Sequence, residues 1–338
     1  MLSSLHKSIK PVTNLLSKKP ILVIFEVCLR CNSKCGYCDL PLNEGREELT
    51  REEIKTIFQG LYKEGVRFVF LQGGEPTLRD DLIDIIYDLE EIGFAQTLIT
   101  NGTRLTRRFI ERLAQVPVSL SISLDTLNTE RYQAIRGANQ LKLVMNGIDR
   151  LAEYPHPKYL TCIVSDVNRL DVIDVLEYAK AKNFIPVLGA YHWDIDRYGK
   201  TDLMLQYKKS TAVAVFNEAL KTDLIPNGYF KHFVEDNISW LNDEGLPPCD
   251  AGRYSLSIDS SGNVAPCLAL AHKGNLLTDS FADILKQLDF DEINACSEKS
   301  SCNMMCSRVV GSFLKKPKAS IDTIKAIKAS CQPGAAHA

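Results

Sequence analysis

The stretch ILVIFEVCLRCNSKCGYC (Ile21–Cys38) joins an unbroken apolar run to three cysteines spaced C-x3-C-x2-C, at Cys31, Cys35 and Cys38. The run Ile21–Val27 has the length and β-branched content of a strand buried on both faces. Three thiolates on a loop leaving such a strand can hold three irons of an iron–sulfur cube and leave the fourth open. A full set of four cysteines makes an electron carrier, whereas an open iron can bind a substrate or cosubstrate. The same triplet can also serve zinc, with Cys28 as a fourth thiolate.

Outward from this stretch, apolar runs alternate with amphipathic segments. Strands are expected at Ile21–Val27, Val66–Gln72, Phe94–Thr100, Val118–Leu124, Tyr159–Ser165 and Ile185–Ala190. The clearest helix is TREEIKTIFQGLYKEG, where Thr50 and Glu53 form a capping box and Ile54, Ile57, Phe58 and Leu61 make the inner stripe. Helical stripes follow at Arg79–Ile92, Arg107–Gln115, Leu141–Tyr154 and Arg169–Asn183. Strand–helix units in strict alternation predict an α/β fold with a parallel sheet and right-handed crossovers. Ligands of such folds lie at the carboxyl ends of the strands. After Ala190 the rhythm breaks: helices are expected at Leu205–Leu220 and Phe230–Asn242, and SLSIDSSGNVAPCL reads as a hairpin turning at Ser261-Gly262-Asn263. The expected divisions are a capping segment at 1–20, a core at 21–242 and a cysteine-rich domain at 243–338.

The chain has 338 residues, 45% hydrophobic and 24% charged, with a formal net charge of −2. That balance suits a globular core and gives no electrostatic case for nucleic acid. Its 11 cysteines fall into an N-terminal knot and a C-terminal group, with Cys162 alone between them in an apolar run. A disulfide framework belongs to small, loop-rich chains, so metal binding is the better account of these thiols. No apolar run approaches the ~18–20 residues of a membrane span or suggests a signal peptide, and a cytoplasmic location is expected.

The triplet and several later stations together resemble the radical S-adenosylmethionine superfamily. Gln72-Gly73-Gly74-Glu75-Pro76 ends the second expected strand and is similar to the family's GGEP segment. Thr100-Asn101-Gly102 ends the third; Ser121, Ser123 and Asp125 end the fourth, with Arg136-Gly137 beyond. The resemblance implies a partial (β/α)6 barrel in which Cys31, Cys35 and Cys38 hold a [4Fe–4S] cluster. Cofactor-binding residues would be Tyr37 beside the adenine, Gly73, Gly74, Glu75 and Pro76, Asn101, Ser123, Asp125 and Arg136. Glu75 would accept from the cosubstrate's ammonium, and Arg136 would hold its carboxylate. The implied chemistry is reductive cleavage of S-adenosylmethionine to methionine and a 5′-deoxyadenosyl radical, fed by flavodoxin or ferredoxin.

The C-terminal thiols Cys249, Cys267, Cys296, Cys302, Cys306 and Cys331 resemble the SPASM extension of such enzymes, which carries auxiliary [4Fe–4S] clusters. Ile293 stands where that pattern has a cysteine. The remaining six could complete one cluster, as in the shorter twitch variant, or two with a non-cysteine ligand such as Asp291 or Glu292. Auxiliary clusters imply an oxidative modification in biosynthesis, with a small molecule, a lipid or a ribosomal peptide as substrate. A non-catalytic iron–sulfur carrier or scaffold is the rival from another class, and it would need neither GGEP nor Arg136. His192, Asp194 and Asp196 follow the sixth expected strand and are candidates for substrate binding or proton transfer. The basic, leucine-containing N-terminus could touch a membrane surface, but Pro11 should interrupt a helix there, which favours a short cap on the barrel.

Overall fold

The computed structural model describes residues 10–40, 47–193 and 203–331. Six parallel strands, β1 (Leu22–Cys28), β2 (Phe68–Gly73), β3 (Ala95–Thr100), β4 (Val118–Ser123), β5 (Lys158–Val164) and β6 (Ile185–Ala190), lie side by side in chain order. Helices Arg51–Lys63, Leu82–Ile92, Arg107–Leu113, Leu141–Arg150 and Val172–Ala181 make the crossovers. β6 forms one edge of the sheet, so the barrel is open, as the partial-barrel expectation requires. Every residue of β1 is buried, because helices cover one face and the barrel interior the other.

The capping box forms as read: Thr50 N donates to Glu53 Oε2 at 2.8 Å and Glu53 N to Thr50 Oγ1 at 3.2 Å. A helix at Thr129–Arg136, capped by Asn128, had no place in the sequence reading. Its apolar stripe is short and its polar residues dominate, yet it positions the site. Residues 10–16 are helical and include Pro11, so proline does not break the chain there. Asn14 Nδ2 ties this segment down through Pro20 O (3.1 Å) and Glu64 O (2.8 Å).

Beyond β6, helices Lys209–Lys221 and Tyr229–Leu241 lead to the hairpin of β7 (Ser255–Ile258) and β8 (Asn263–Ala265), followed by β9 (Gly274–Asn275). The hairpin turns one step earlier than expected: Gly262, at φ +88°, closes the turn and Asn263 already pairs with β9. β7 also pairs in parallel with β1, Leu22 facing Ser255 and Phe25 facing Ile258. The C-terminal region therefore extends the barrel's own sheet to nine strands, in the order β6-β5-β4-β3-β2-β1-β7-β8-β9. It also packs onto the amino-terminal half of β1, where Leu268 meets Leu22 and Ile24, and Met304, Cys306 and Val309 rest on that cluster. Four helices missed in the sequence follow, at Phe281–Lys286, Phe290–Glu298, Val309–Lys315 and Pro317–Ser330. Among the described residues, no helix is long and apolar enough to cross a membrane.

Candidate functional site

The carboxyl ends of the strands enclose a cavity of about 330 Å³. Cys31, Cys35 and Cys38 line it together with Tyr37, Gly73, Gly74, Glu75, Asn101, Ser123 and Arg136. Pro76 and Asp125 are not on its wall. Asp125 acts one layer back: it is fully buried and its Oδ2 meets Arg136 Nη2 at 2.6 Å, while its Oδ1 accepts from Ile163 N at 2.9 Å. Arg136 is thereby aimed along the cysteine loop, its Nη1 3.9 Å from Cys35 Sγ. Its Nε is buried with no protein partner, an unused donor of the kind an anionic ligand group would take up.

The loop is held by backbone more than by side chains. Lys34 N donates to Arg136 O (2.9 Å) and Gly36 N to Ile135 O (3.0 Å), so the last carbonyls of helix Thr129–Arg136 find their partners in the cysteine loop. Gly137 follows in the left-handed region at φ +66°, and a Cβ there would lie 2.2 Å from Lys34 O. On the other side Gly74 N donates to Cys28 O and Glu75 N to Arg30 O. A Cβ on Gly74 would meet Arg30 O at 2.2 Å, so the glycine is needed for the approach of the loop's backbone as well as for a ligand. Asn101 bridges from β3, with Nδ2 donating to Asn32 Oδ1 at 2.8 Å.

Glu75 is 1% exposed and its carboxylate gathers several donors. Oε1 accepts from Thr77 N (3.1 Å), Thr77 Oγ1 (2.5 Å) and Thr100 Oγ1 (2.6 Å), and Oε2 accepts from Asn101 N (2.7 Å). The carboxylate thus locks the ends of β2 and β3 together, and Oε2 keeps an acceptor position toward the cavity. Burial raises its pKa, and these hydrogen bonds oppose the rise. Burial also pushes the Cys31 thiol up to about 11, although Ser33 N donates to its sulfur at 3.4 Å. Cys28 and Cys162 are fully buried core thiols, the former pushed up to about 12.

A second cavity of about 230 Å³ lies deeper in the barrel, sharing Gln72, Ile99, Ile163, Ala190, His192 and Met304 with the first and ending at Cys306. The thiols of Cys249, Cys267, Cys296, Cys302 and Cys306 lie near enough to influence one another electrostatically, although among the described residues no three metal-ligating side chains are drawn together as closely as a bound metal ion would hold them. Burial raises Cys249, Cys267, Cys302 and Cys306, the last two to about 12, and the nearby Arg308 cation lowers Cys249 and Cys302 in opposition. Ala269 N donates to Cys267 Sγ at 3.4 Å, the same i+2 contact that Cys31 receives. Cys331 does not join the group. It caps the end of helix Pro317–Ser330, near Lys158 and Tyr159 at the amino end of β5, and its Sγ donates to Ile327 O at 3.3 Å. Ile293, in place of a further cysteine, is a buried core residue, and Glu292 pairs with Lys273 at 3.0 Å.

His192 sits between the two regions. Its Nε2 accepts from Asn303 N at 3.0 Å and its ring stacks on Trp240 with centroids 4.3 Å apart. Burial lowers its pKa to about 4, so it is neutral at physiological pH and unsuited to donating a proton. Asp194 and Asp196 lie outside the described residues.

Comparison with known proteins agrees with this geometry. Residues 25–179 match the radical SAM superfamily, and residues 249–308 match an iron–sulfur cluster-binding domain, SPASM. A probable GTP 3′,8-cyclase of Archaeoglobus fulgidus is 35% identical over 162 residues, covering 46% of this chain and 54% of that protein. Molybdenum cofactor biosynthesis protein 1 of Drosophila melanogaster is 30% identical over 181 residues, covering 50% of this chain and 31% of that protein. The matched segment thus spans about half or less of these curated relatives. Among solved structures, Streptococcus suis SuiB bound to precursor peptide SuiA superposes with TM-score 0.67 at 16% identity, covering 88% of this chain and 72% of that one. Native anSMEcpe with bound AdoMet and a Kp18Cys peptide gives TM-score 0.65 at 16% identity, covering 92% and 99%. Both show a shared fold.

Proposed function

The chain belongs to the radical SAM superfamily and carries a SPASM iron–sulfur domain, and from this premise we propose that it is a biosynthetic oxidase acting on a substrate held between two clusters. The observation that carries the proposal is the pair of joined cavities, which run from Cys31, Cys35 and Cys38 at one end to Cys306 at the other. Cys31, Cys35 and Cys38 would hold the cluster that, once reduced by an external one-electron donor, would supply radical hydrogen abstraction with S-adenosylmethionine, and the C-terminal thiols would hold an acceptor for the electron left on the substrate.

The chain's residues do the rest. Arg136, aimed by Asp125 and with Nε free of protein partners, binds the cosubstrate carboxylate; Glu75 Oε2 accepts from its ammonium. Gly73, Gly74, Asn101 and Ser123 line the wall against which it lies, and Tyr37, 5.9 Å from Tyr191, gives its adenine an aromatic face. The apolar Leu268 and Met304 on the deeper cavity's wall keep water from the radical's path. In this reading the chain divides into a capping segment at 1–20, the barrel at 21–242 and the cluster domain at 243–338. The gathered thiols suffice for one auxiliary cluster with one cysteine over, and Cys331 is not a ligand. Flavodoxin or ferredoxin serves as donor, a small molecule or lipid is the favoured substrate class, and a peptide is the second.

The test is anaerobic reconstitution with iron counting, then dithionite, S-adenosylmethionine and chromatography for 5′-deoxyadenosine. About eight irons per chain is expected, against about twelve for two auxiliary clusters. 5′-Deoxyadenosine should form, and should vanish in Cys35→Ala. Zinc in place of iron, or intact cosubstrate beside a reduced cluster, refutes the proposal.

A further inference from the structure

We infer that the reacting part of the substrate is uncharged and mainly apolar, and that it carries an amide-type donor–acceptor pair recognised by Asn303. The inference rests on the reading of the joined cavities as the radical enzyme's active site.

No aspartate, glutamate, lysine or arginine lines the deeper cavity among the described residues, and its polar groups are Gln72, Ser121, Thr161, His192, Asn303 and the Cys306 thiol. Its remaining walls are aliphatic, aromatic and thioether groups such as Phe70, Ile99, Val187, Phe233 and Met304. The two hydroxyls on it, Ser121 and Thr161, hydrogen-bond each other at 2.9 Å. His192 is occupied by Asn303 N and kept neutral.

Asn303 departs from this pattern. It is 1% exposed, it lines the cavity, and neither its Nδ2 donor nor its Oδ1 acceptor has a partner. A buried carboxamide left unpaired on both atoms is costly unless something that enters the cavity satisfies it. A phosphate or carboxylate could accept from Nδ2 but would face Oδ1 with negative charge. An ammonium could donate to Oδ1 and leave Nδ2 unmet. A –CO–NH– group meets both at once, and the apolar wall accommodates an aliphatic body beside it. In the adjoining cavity the one cation on the wall among the described residues, Arg136, pairs with Asp125 and turns its remaining donor to the cosubstrate carboxylate in the reading above. A nucleoside triphosphate, the substrate type in the names of the cyclase relatives, therefore finds no further cation on these walls among the described residues.

The experiment uses reconstituted protein with S-adenosylmethionine bound. Affinities for N-methylisovaleramide, its ester isostere methyl isovalerate, and GTP are measured by ligand-observed NMR. The amide should bind at least tenfold tighter than the ester, because the ester leaves Oδ1 unpaired. In Asn303→Leu that ratio should fall toward one. In Gly189→Ala, whose added Cβ would lie 3.2 Å from Ile163 Cδ1 in the same cavity, both probes should weaken with the ratio kept. Equal affinity of amide and ester, or tighter binding of GTP, overturns the inference. So does an Asn303→Leu variant that shifts the auxiliary cluster's reduction potential while the ratio stands, since the carboxamide would then serve the cluster. 5′-Deoxyadenosine formation is followed in the same preparation: cleavage without discrimination sinks only this inference, and no cleavage sinks the active-site reading too.

Discussion

Replacing Gly137 by alanine tests whether helix Thr129–Arg136 anchors the cysteine loop. The native residue sits at φ +66°, where an L-residue costs about 1–2 kcal/mol. The added Cβ would stand 2.2 Å from Lys34 O, a backbone atom that cannot swing away as a side-chain tip would. Relief requires the loop to retreat from the helix end, which breaks or lengthens the bonds from Lys34 N to Arg136 O and from Gly36 N to Ile135 O. Each is worth about 0.5–1.5 kcal/mol, so the whole penalty is about 2–5 kcal/mol. Urea unfolding under anaerobic conditions reads the stability, and iron content with EPR of the reduced protein reads the cluster held by Cys31, Cys35 and Cys38. Both should fall. Gly60→Ala is the matched control: it lies within a helix, nothing stands within 4 Å of its Cβ, and it should gain about 0.5–1 kcal/mol. A Gly137→Ala protein within about 0.5 kcal/mol of the parent, with iron unchanged, would refute the anchoring argument.

Asp125→Asn leaves Arg136 charged and buried without its partner, so unfolding free energy should drop by about 3–5 kcal/mol and S-adenosylmethionine affinity with it, measured by denaturation and equilibrium dialysis. Cys331→Ser should leave the iron count unchanged, whereas replacing Cys302 and Cys306 together, which leaves three of the gathered thiols, should lower it; iron loss from Cys331→Ser would return Cys331 to the ligand set. His192 is held neutral, its folded pKa of about 4 lying below the ordinary 6.5. Because protonation favours the unfolded chain, its stabilising contribution is present above pH 6.5 and is lost as pH falls toward 4. Relative to a His192→Gln variant, the parent should lose about 2 kcal/mol between pH 6.5 and pH 5, read by urea midpoints at each pH.

The six parallel strands were legible because buried β-branched runs and single helical stripes repeat with little noise, and their ends differ from the expected ones by at most two residues. The cysteine triplet and the strand-end stations were legible for the same reason: each is tied to a local spacing. Helix Thr129–Arg136 escaped because it buries only Tyr132, Ile135 and Arg136, too few apolar positions to set a stripe. Its Asn128 cap, which accepts from Arg131 N, was the available signal. The resemblance to the SPASM extension groups Cys331 with the other thiols, whereas helix Pro317–Ser330 places it near Tyr159 at the amino end of β5, a position no local spacing encodes. The role of Asp125 behind Arg136, and of His192 against Asn303, depends on contacts between distant segments that no local pattern encodes. Ser280 and Asp289 capped two of the missed C-terminal helices, and Pro317 opened a third, all visible in the sequence once capping is weighed above apolar periodicity.

The pairing of β7 with β1 bears on how the chain comes to be folded. β1 leaves the ribosome well before β7, so Leu22 to Phe25 gain one of their two neighbours only when Ser255 to Ile258 have been made. Until then an apolar strand with unsatisfied amides is open along one side, a template for association with other nascent chains. Such distant pairing slows folding, because the connecting chain must be closed before the contact rewards it. A protein shortened to its first 242 residues would keep that open side permanently, and should be recovered mainly as aggregate. The cluster domain is thus also the piece that completes the sheet, and swapping it between relatives will succeed only where the incoming β7 matches the register of β1.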